Sequence, residues 1–241
     1  MGGSRVNVGC SKTGCHVDHA GNAKPPTACN TCHGKFLGIA NDTISWAPPR
    51  STNGDTIEVS PFVGTHQEHL AKGAISDLIK CDECHLVPSS YLTSGHLNPI
   101  RNTKVQFNGA LANTVTNEPT TLDYSPSSPL YMPVPVYDDT VLHCNSVYCH
   151  GYFKNGNLNN VVQWNIPGSS QIACGTCHGD IAKLTLAERA LPKTSAKGGT
   201  HPNATDCYLC HWGVVGANLN FVDKTKHING KLNVYGEERD Y

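Results

Sequence analysis

Apolar positions along this chain rarely fall into a sustained period. Residues 66 to 80 carry Leu70, Ala74, Ile75, Leu78 and Ile79 near a 3.6-residue repeat, which predicts a helix there. Residues 180 to 191 predict a second helix, stopped by Pro192. Elsewhere the apolar runs are short and broken by turn formers. Residues 108 to 142 contain no cysteine or histidine, and Ser125-Pro-Ser-Ser-Pro129 and Pro133-Val-Pro135 read as extended or turn-like, with room for a short strand or two. No apolar run has the length of a membrane span.

Composition sharpens this picture. The chain has 241 residues, only 38% of them hydrophobic, with 23 glycines and 15 prolines. Such a chain is lean for a packed side-chain core. It also holds 12 cysteines, too many for a reducing compartment without metal or redox chemistry. The N-terminus shows no signal-peptide pattern, so the sequence is expected to be a processed or recombinant form.

The cysteines fall into six pairs, each followed directly by a histidine. Four pairs have two intervening residues: Cys29/Cys32/His33, Cys81/Cys84/His85, Cys174/Cys177/His178 and Cys207/Cys210/His211. Two have four: Cys10/Cys15/His16 and Cys144/Cys149/His150. Cys-x-x-Cys-His is the pattern of covalent haem c attachment: the thiols add to the two vinyl groups and the histidine reaches iron. The longer loops can span the same groups if they bulge, and Gly14 would allow that in the first. Zinc uses paired cysteines but does not need a histidine after every second one. A disulfide framework also leaves the six histidines unexplained. The expectation is six haem c, with the pigments filling the interior.

The sites recur in the same order, which marks a duplication: a trihaem unit over residues 1–107, a Pro/Ser-rich connector over 108–142 and a second trihaem unit over 143–241. Gly64-Thr65-His66 matches Gly199-Thr200-His201, Gly95-His96-Leu97-Asn98 matches Lys226-His227-Ile228-Asn229, and Val105-Gln-Phe107 loosely matches Val234-Tyr235. The expected fold is that of a multihaem cytochrome c: mostly irregular, with short helical turns at the Cys-His ends, wrapped around a chain of haems, with little β.

Thirteen histidines are present. Beyond the six motif members, His19, His66, His69, His96, His143, His201 and His227 are candidate distal ligands, one more than six bis-His haems require. The repeat favours His66, His96, His201 and His227. His66 and His69 are three apart and share a helix face. His19 and His143 lie too near their own motifs to serve the same haem, and either is the spare or serves a neighbour. Met132 can ligate iron but reads as packing. Trp46 and Trp164 cover haem faces or serve as ordinary core aromatics, and Tyr148 and Tyr208 pack within attachment loops.

Lys and Arg number 18 against 19 Asp and Glu, a net charge of -1. Haem propionates make the loaded protein more acidic, which argues against a nucleic-acid partner.

The alternation of the two motif lengths resembles a family of multihaem c-type cytochromes of Geobacter-type bacteria. Cys144 to Gly151, Thr176-Cys177-His178-Gly179, His66-Gln-Glu-His69 and His227-Ile-Asn-Gly230 carry the likeness. It implies exported, bis-His, low-potential electron carriers of the periplasm or cell surface, some polymerising into extracellular filaments. It also implies redox partner proteins or extracellular acceptors such as metal oxides and other cells. The second unit departs from the pattern, with Asn203-Ala204 where a second histidine would fall, so one haem must draw its ligand from His143 or His19. The expected role is electron conduction, as a filament subunit or a monomeric shuttle. A module of a larger cytochrome or porin-cytochrome assembly is a further reading. A nitrite- or hydroxylamine-type oxidoreductase would need an open iron, and no lysine replaces a motif histidine to suggest one.

Overall fold

Helices in this protein stop early, for reasons of local chemistry. The computed structural model describes residues 30, 33–35, 43–71, 73–90, 93–94, 96, 105–116, 132–168 and 171–240. Four short helices lie among them: α1 (Thr43–Trp46), α2 (His66–Leu70), α3 (Leu186–Ala190) and α4 (Tyr208–His211). The helix expected over 66–80 therefore ends at Leu70. Ala71 is extended, with φ -77° and ψ 147°. The carbonyls beyond it serve side chains instead of a helical ladder. Gly73 O accepts from Lys224 Nζ at 2.6 Å, and Ile75 O lies 2.5 Å from Nδ1 of His227.

The second expected helix loses its first half. Thr185 forms a capping box with Glu188, each side chain accepting from the other's backbone N–H, and this fixes the start of α3. Upstream, the Asp180 carboxylate accepts from Ala182 N at 3.0 Å and makes a turn. The stop falls where proline requires it: Leu191 is extended, as a residue before proline prefers.

Five short strands complete the regular structure described. β1 (Val136–Asp138), β2 (His143–Asn145) and β3 (Val162–Gln163) form an antiparallel sheet in that order, with Tyr137 opposite Cys144 and His143 opposite Gln163. β1 closes the region read as a connector. β4 (Leu232–Val234) and β5 (Glu237–Arg239) form a hairpin. Its two turn residues, Tyr235 and Gly236, are both left-handed, which matches the twist of the strands.

By backbone contacts the chain divides into two compact units. One comprises Met1–Ala71, Val87–Thr103 and Trp164–Pro167; the other comprises Lys72–Leu86, Lys104–Gln163 and Gly168–Tyr241. These groupings cut across the sequence repeat. The third attachment pair, Cys81 and Cys84, falls in the second unit, and Trp164 falls in the first.

Buried aliphatic side chains are few and mostly small. Among the described residues they include one leucine, Leu70, and no isoleucine, although these are the types most often buried in proteins. Leu86, Leu184, Leu209 and Trp212 are instead each more than half exposed. A packed cluster, Phe107, Ala112 and Val147, has Cys84, Cys144 and Cys149 against it. The side-chain core is thus built around attachment cysteines.

Candidate functional site

Short turns carry the attachment residues, because a tight turn brings two thiols and the next side chain to one side of the backbone. Cys81 opens a 3₁₀ turn (Cys81–Glu83), and His85 N donates to Cys81 O at 2.9 Å. Cys149 and His150 sit in the 3₁₀ turn Tyr148–His150, while Cys144 lies on β2. Cys210 and His211 lie in α4, and Cys207 caps it. Cys174 and Cys177 lie in an irregular turn, followed by His178, which bridges to Gly156. The four-residue loop from Cys144 to Cys149 bulges at Ser146, whose φ is 54°. Val147 and Tyr148 turn inward and are buried, and Tyr148 packs on Phe153 at 5.5 Å. Cys10, Cys15, His16, His19, Cys29 and Cys32 lie outside the described residues.

Among the described residues, two pairs of histidines come together. The rings of His178 and His227 have centres 6.4 Å apart with planes at 73°, and those of His201 and His211 are 6.3 Å apart at 12°. Metal–imidazole bonds are about 2.0–2.1 Å, and a ring centre lies roughly 1.1 Å beyond its nitrogen. Two imidazoles on opposite sides of one metal therefore have centres about 6.3 Å apart. Each pair joins a motif histidine to one that the repeat nominates.

In six of the described histidines the ring nitrogens are sorted the same way. Nδ1 lies 2.6 Å from Trp46 O in His33, 2.5 Å from Val63 O in His66 and 2.9 Å from Thr65 O in His69. The same contact is 2.7 Å to Pro202 O in His201, 2.6 Å to Asn233 O in His211 and 2.5 Å to Ile75 O in His227. A carbonyl only accepts, so Nδ1 carries the proton and Nε2 keeps its lone pair. This is the arrangement in which outer carbonyls orient metal-binding histidines. Nδ1 of His178 is buried without a hydrogen bond inside ordinary limits, although the Ala190 backbone is near enough to favour its protonated form slightly.

Burial favours the neutral form of His178, His227 and His33. It pulls His178 down to about 4, with the charges of His227, His201 and His211 adding to the effect. It also lowers His227 and His33, and for His33 the charge of His96 acts in the same sense. His33 and His96 thus lie within electrostatic reach, in the same unit. Burial raises the thiols: Cys84 and Cys144 to about 12, and Cys149, Cys177 and Cys207 also upward.

The residues fit haem c. Cys84, Cys144, Cys149, Cys174, Cys177, Cys207 and Cys210 are thiols rather than disulfides. Among the described residues, no cluster of three or more His, Cys, Asp or Glu is arranged to hold a metal ion by itself, which a structural zinc needs. Two-imidazole pairs beside paired thiols are what a porphyrin would complete. Cys174 and Cys177 with the His178–His227 pair would hold one haem, and Cys207 and Cys210 with His201–His211 another.

Other expected residues lie elsewhere. His143 is on β2, paired with Asp138 and Gln163. Met132, read as packing, is 41% exposed, because its segment leads into the edge strand of the sheet. Trp46 contributes its carbonyl to His33, and Trp164 packs against His66 and His69. Sequence reasoning did not find the orienting carbonyls of Ile75, Val63 and Asn233, since any residue type supplies a carbonyl. No helix among the described residues is long and apolar enough to cross a membrane.

Comparison with known proteins agrees with this geometry. Residues 143–178 match the family model described as the Geobacter CxxxxCH...CXXCH motif. No curated protein and no solved structure matches the chain. The matched segment holds the fourth and fifth attachment sites, including Cys144, Cys149, His150, Cys174, Cys177 and His178. It is the haem-binding motif of Geobacter-type multihaem c-type cytochromes, and it supports electron transfer by a multihaem cytochrome.

Proposed function

We propose that this chain is a hexahaem cytochrome that conducts electrons along a row of bis-His haems, and that it works as a subunit of an extracellular filament. The observation that carries the reading is the pair of histidine couples at 6.3 and 6.4 Å, each beside its own pair of thiols. With two imidazoles per iron no position is left for substrate, so conduction is favoured over catalysis. Haem, when bound, supplies a one-electron iron couple. The residues here do the rest: thiols fix the ring's place, Nε2 atoms hold iron, and backbone carbonyls fix the tautomer and angle of six of the imidazoles. The scarcity of large buried side chains supports a sleeve-like role for the peptide.

The proposed haem set uses all 12 cysteines, with His16, His33, His85, His150, His178 and His211 as proximal ligands. The proposed location is outside the cytoplasm, because covalent haem attachment follows export. Polymerisation rests on the resemblance, through contacts that repeat head to tail without closing. Three measurements test the reading. The mass should show six haem additions. The reduced protein should leave carbon monoxide unbound. Electron micrographs of the native secreted material should show filaments; discrete particles would favour a monomeric shuttle, and carbon monoxide binding would favour an oxidoreductase.

A further inference from the structure

The geometry points to Trp164 as the positioning residue for the ligand pair His66 and His69, an assignment that rests on reading those histidines as iron ligands. Trp164 is 98 positions from His66 in the sequence, yet it belongs to the same compact unit. Its ring meets His66 edge-on, with centres 4.6 Å apart and planes at 87°, and lies 5.9 Å from His69 at 35°. One indole thus touches both imidazoles of α2.

The indole is itself fixed in place. Its Nε1 donates to Pro61 O at 2.9 Å, its carbonyl accepts from Thr65 N at 3.1 Å, and the neighbouring Asn165 Nδ2 donates to Val59 O at 2.9 Å. Segment 164–165 is therefore stitched to residues 59–65. Gly64 makes the room: its φ is 51°, and a Cβ there would fall 2.0 Å from Trp164 Nε1. Val63, which orients His66, is fully buried.

An imidazole held by a single Nδ1–H bond can still tilt about it. An edge-on contact with a rigid ring removes that freedom, and aromatic pairs prefer this arrangement. For His66 the carbonyl sets which nitrogen faces iron, and the indole sets the plane of the ring. A ligand that must meet iron in one orientation gains from both.

The experiment uses the full chain, matured with its haems and checked by mass for six additions. Trp164→Ala, Trp164→Phe, Gly64→Ala, His66→Ala and His69→Ala are compared by carbon monoxide uptake after reduction and by ferric low-spin signals. W164A is expected to take up between one and two equivalents of carbon monoxide where the wild-type protein takes up none. G64A, which displaces the indole without removing it, should do the same. W164F keeps a ring edge and should restore most of the wild-type silence. If H66A and H69A open a haem while W164A and G64A stay silent and keep unaltered low-spin signals, Trp164 is merely packing and the assignment falls. If H66A and H69A are themselves silent, the ligand reading fails and takes the assignment with it. Should W164A not retain six haems, Trp164→Leu, which fills the space without an aromatic plane, is read in the same way.

Discussion

A histidine that binds metal must present one nitrogen and hide the other, and six of the described histidines achieve that with backbone carbonyls. The consequence is visible in the ring planes. His201 and His211 are 12° apart, whereas His178 and His227 are 73° apart. Near-parallel axial imidazoles split the iron orbitals more than near-perpendicular ones do, so the ferric protein should give two kinds of low-spin electron paramagnetic resonance. His201→Ala is expected to remove intensity from the rhombic kind and His227→Ala from the strongly anisotropic kind. If both variants deplete the same signal, the pairing is wrong. Acid gives a second check. Iron takes the neutral ring, and the proton competes for it. An exposed histidine starts to lose that competition near its usual value of about 6.5, but burial holds His178 at about 4. The haem of His178 and His227, both of whose rings are lowered by burial, should therefore remain low-spin well below the pH at which an exposed histidine is lost, followed by visible absorbance. Conversion between pH 6 and 5 would contradict the buried, neutral ring.

Elements here exist mainly to place such residues, and their boundaries follow from that duty. Which cysteines fall in pairs and which histidines recur was legible in the sequence, because cysteine spacing and a repeat are covalent facts. The helix over 66–80 was not, because its apolar period competes with Gly73 and Ile75, whose carbonyls are needed by Lys224 and by His227, 152 residues away. Distant partners of that kind leave no local signal. Capping did leave one: Thr185 with Glu188 three residues on marks where α3 begins. Removing it with Thr185→Ala should cost about 1 kcal/mol locally, seen as roughly fivefold faster amide exchange over 187–190 with six haems retained. A larger effect is expected at Gly151. It follows His150 at φ 108°, and a Cβ there would lie 2.6 Å from Cys177 O. The fourth attachment turn thereby touches the fifth, and Asn160 ties them further by donating to His150 O at 2.7 Å. A left-handed conformation alone costs an L-residue about 1–2 kcal/mol, and the clash adds to it. Gly151→Ala should lower the yield of fully loaded protein, with species one or two haems short in the mass spectrum. Full loading at wild-type yield would mean the two turns are independent.

For the molecule as a whole, closeness of sites has an electrostatic cost that conduction must tolerate. Within the second unit, His178 feels the charges of His201 and His211 as well as that of its own partner His227. The two histidine couples are thus near enough for charge on one to be felt at the other. Irons carried by such couples would interact likewise. Two unit charges about 10 Å apart at an effective dielectric of about 20 interact by about 1.7 kcal/mol, or roughly 70 mV for one electron. Each electron added makes the next harder to add, so adjacent haems with equal intrinsic potentials still titrate apart. The reductive titration of the holoprotein should therefore be clearly broader than one Nernst curve, even if the haem environments were alike. Replacing His227 with methionine should raise the potential of its own haem, since methionine ligation favours the reduced iron. The haem of His201 and His211 should then shift downward in the same titration, because its neighbour now holds its electron at a higher potential. A shift confined to a single component would show that the two irons do not sense each other, and would remove the reason for the second unit to bring their ligands so close.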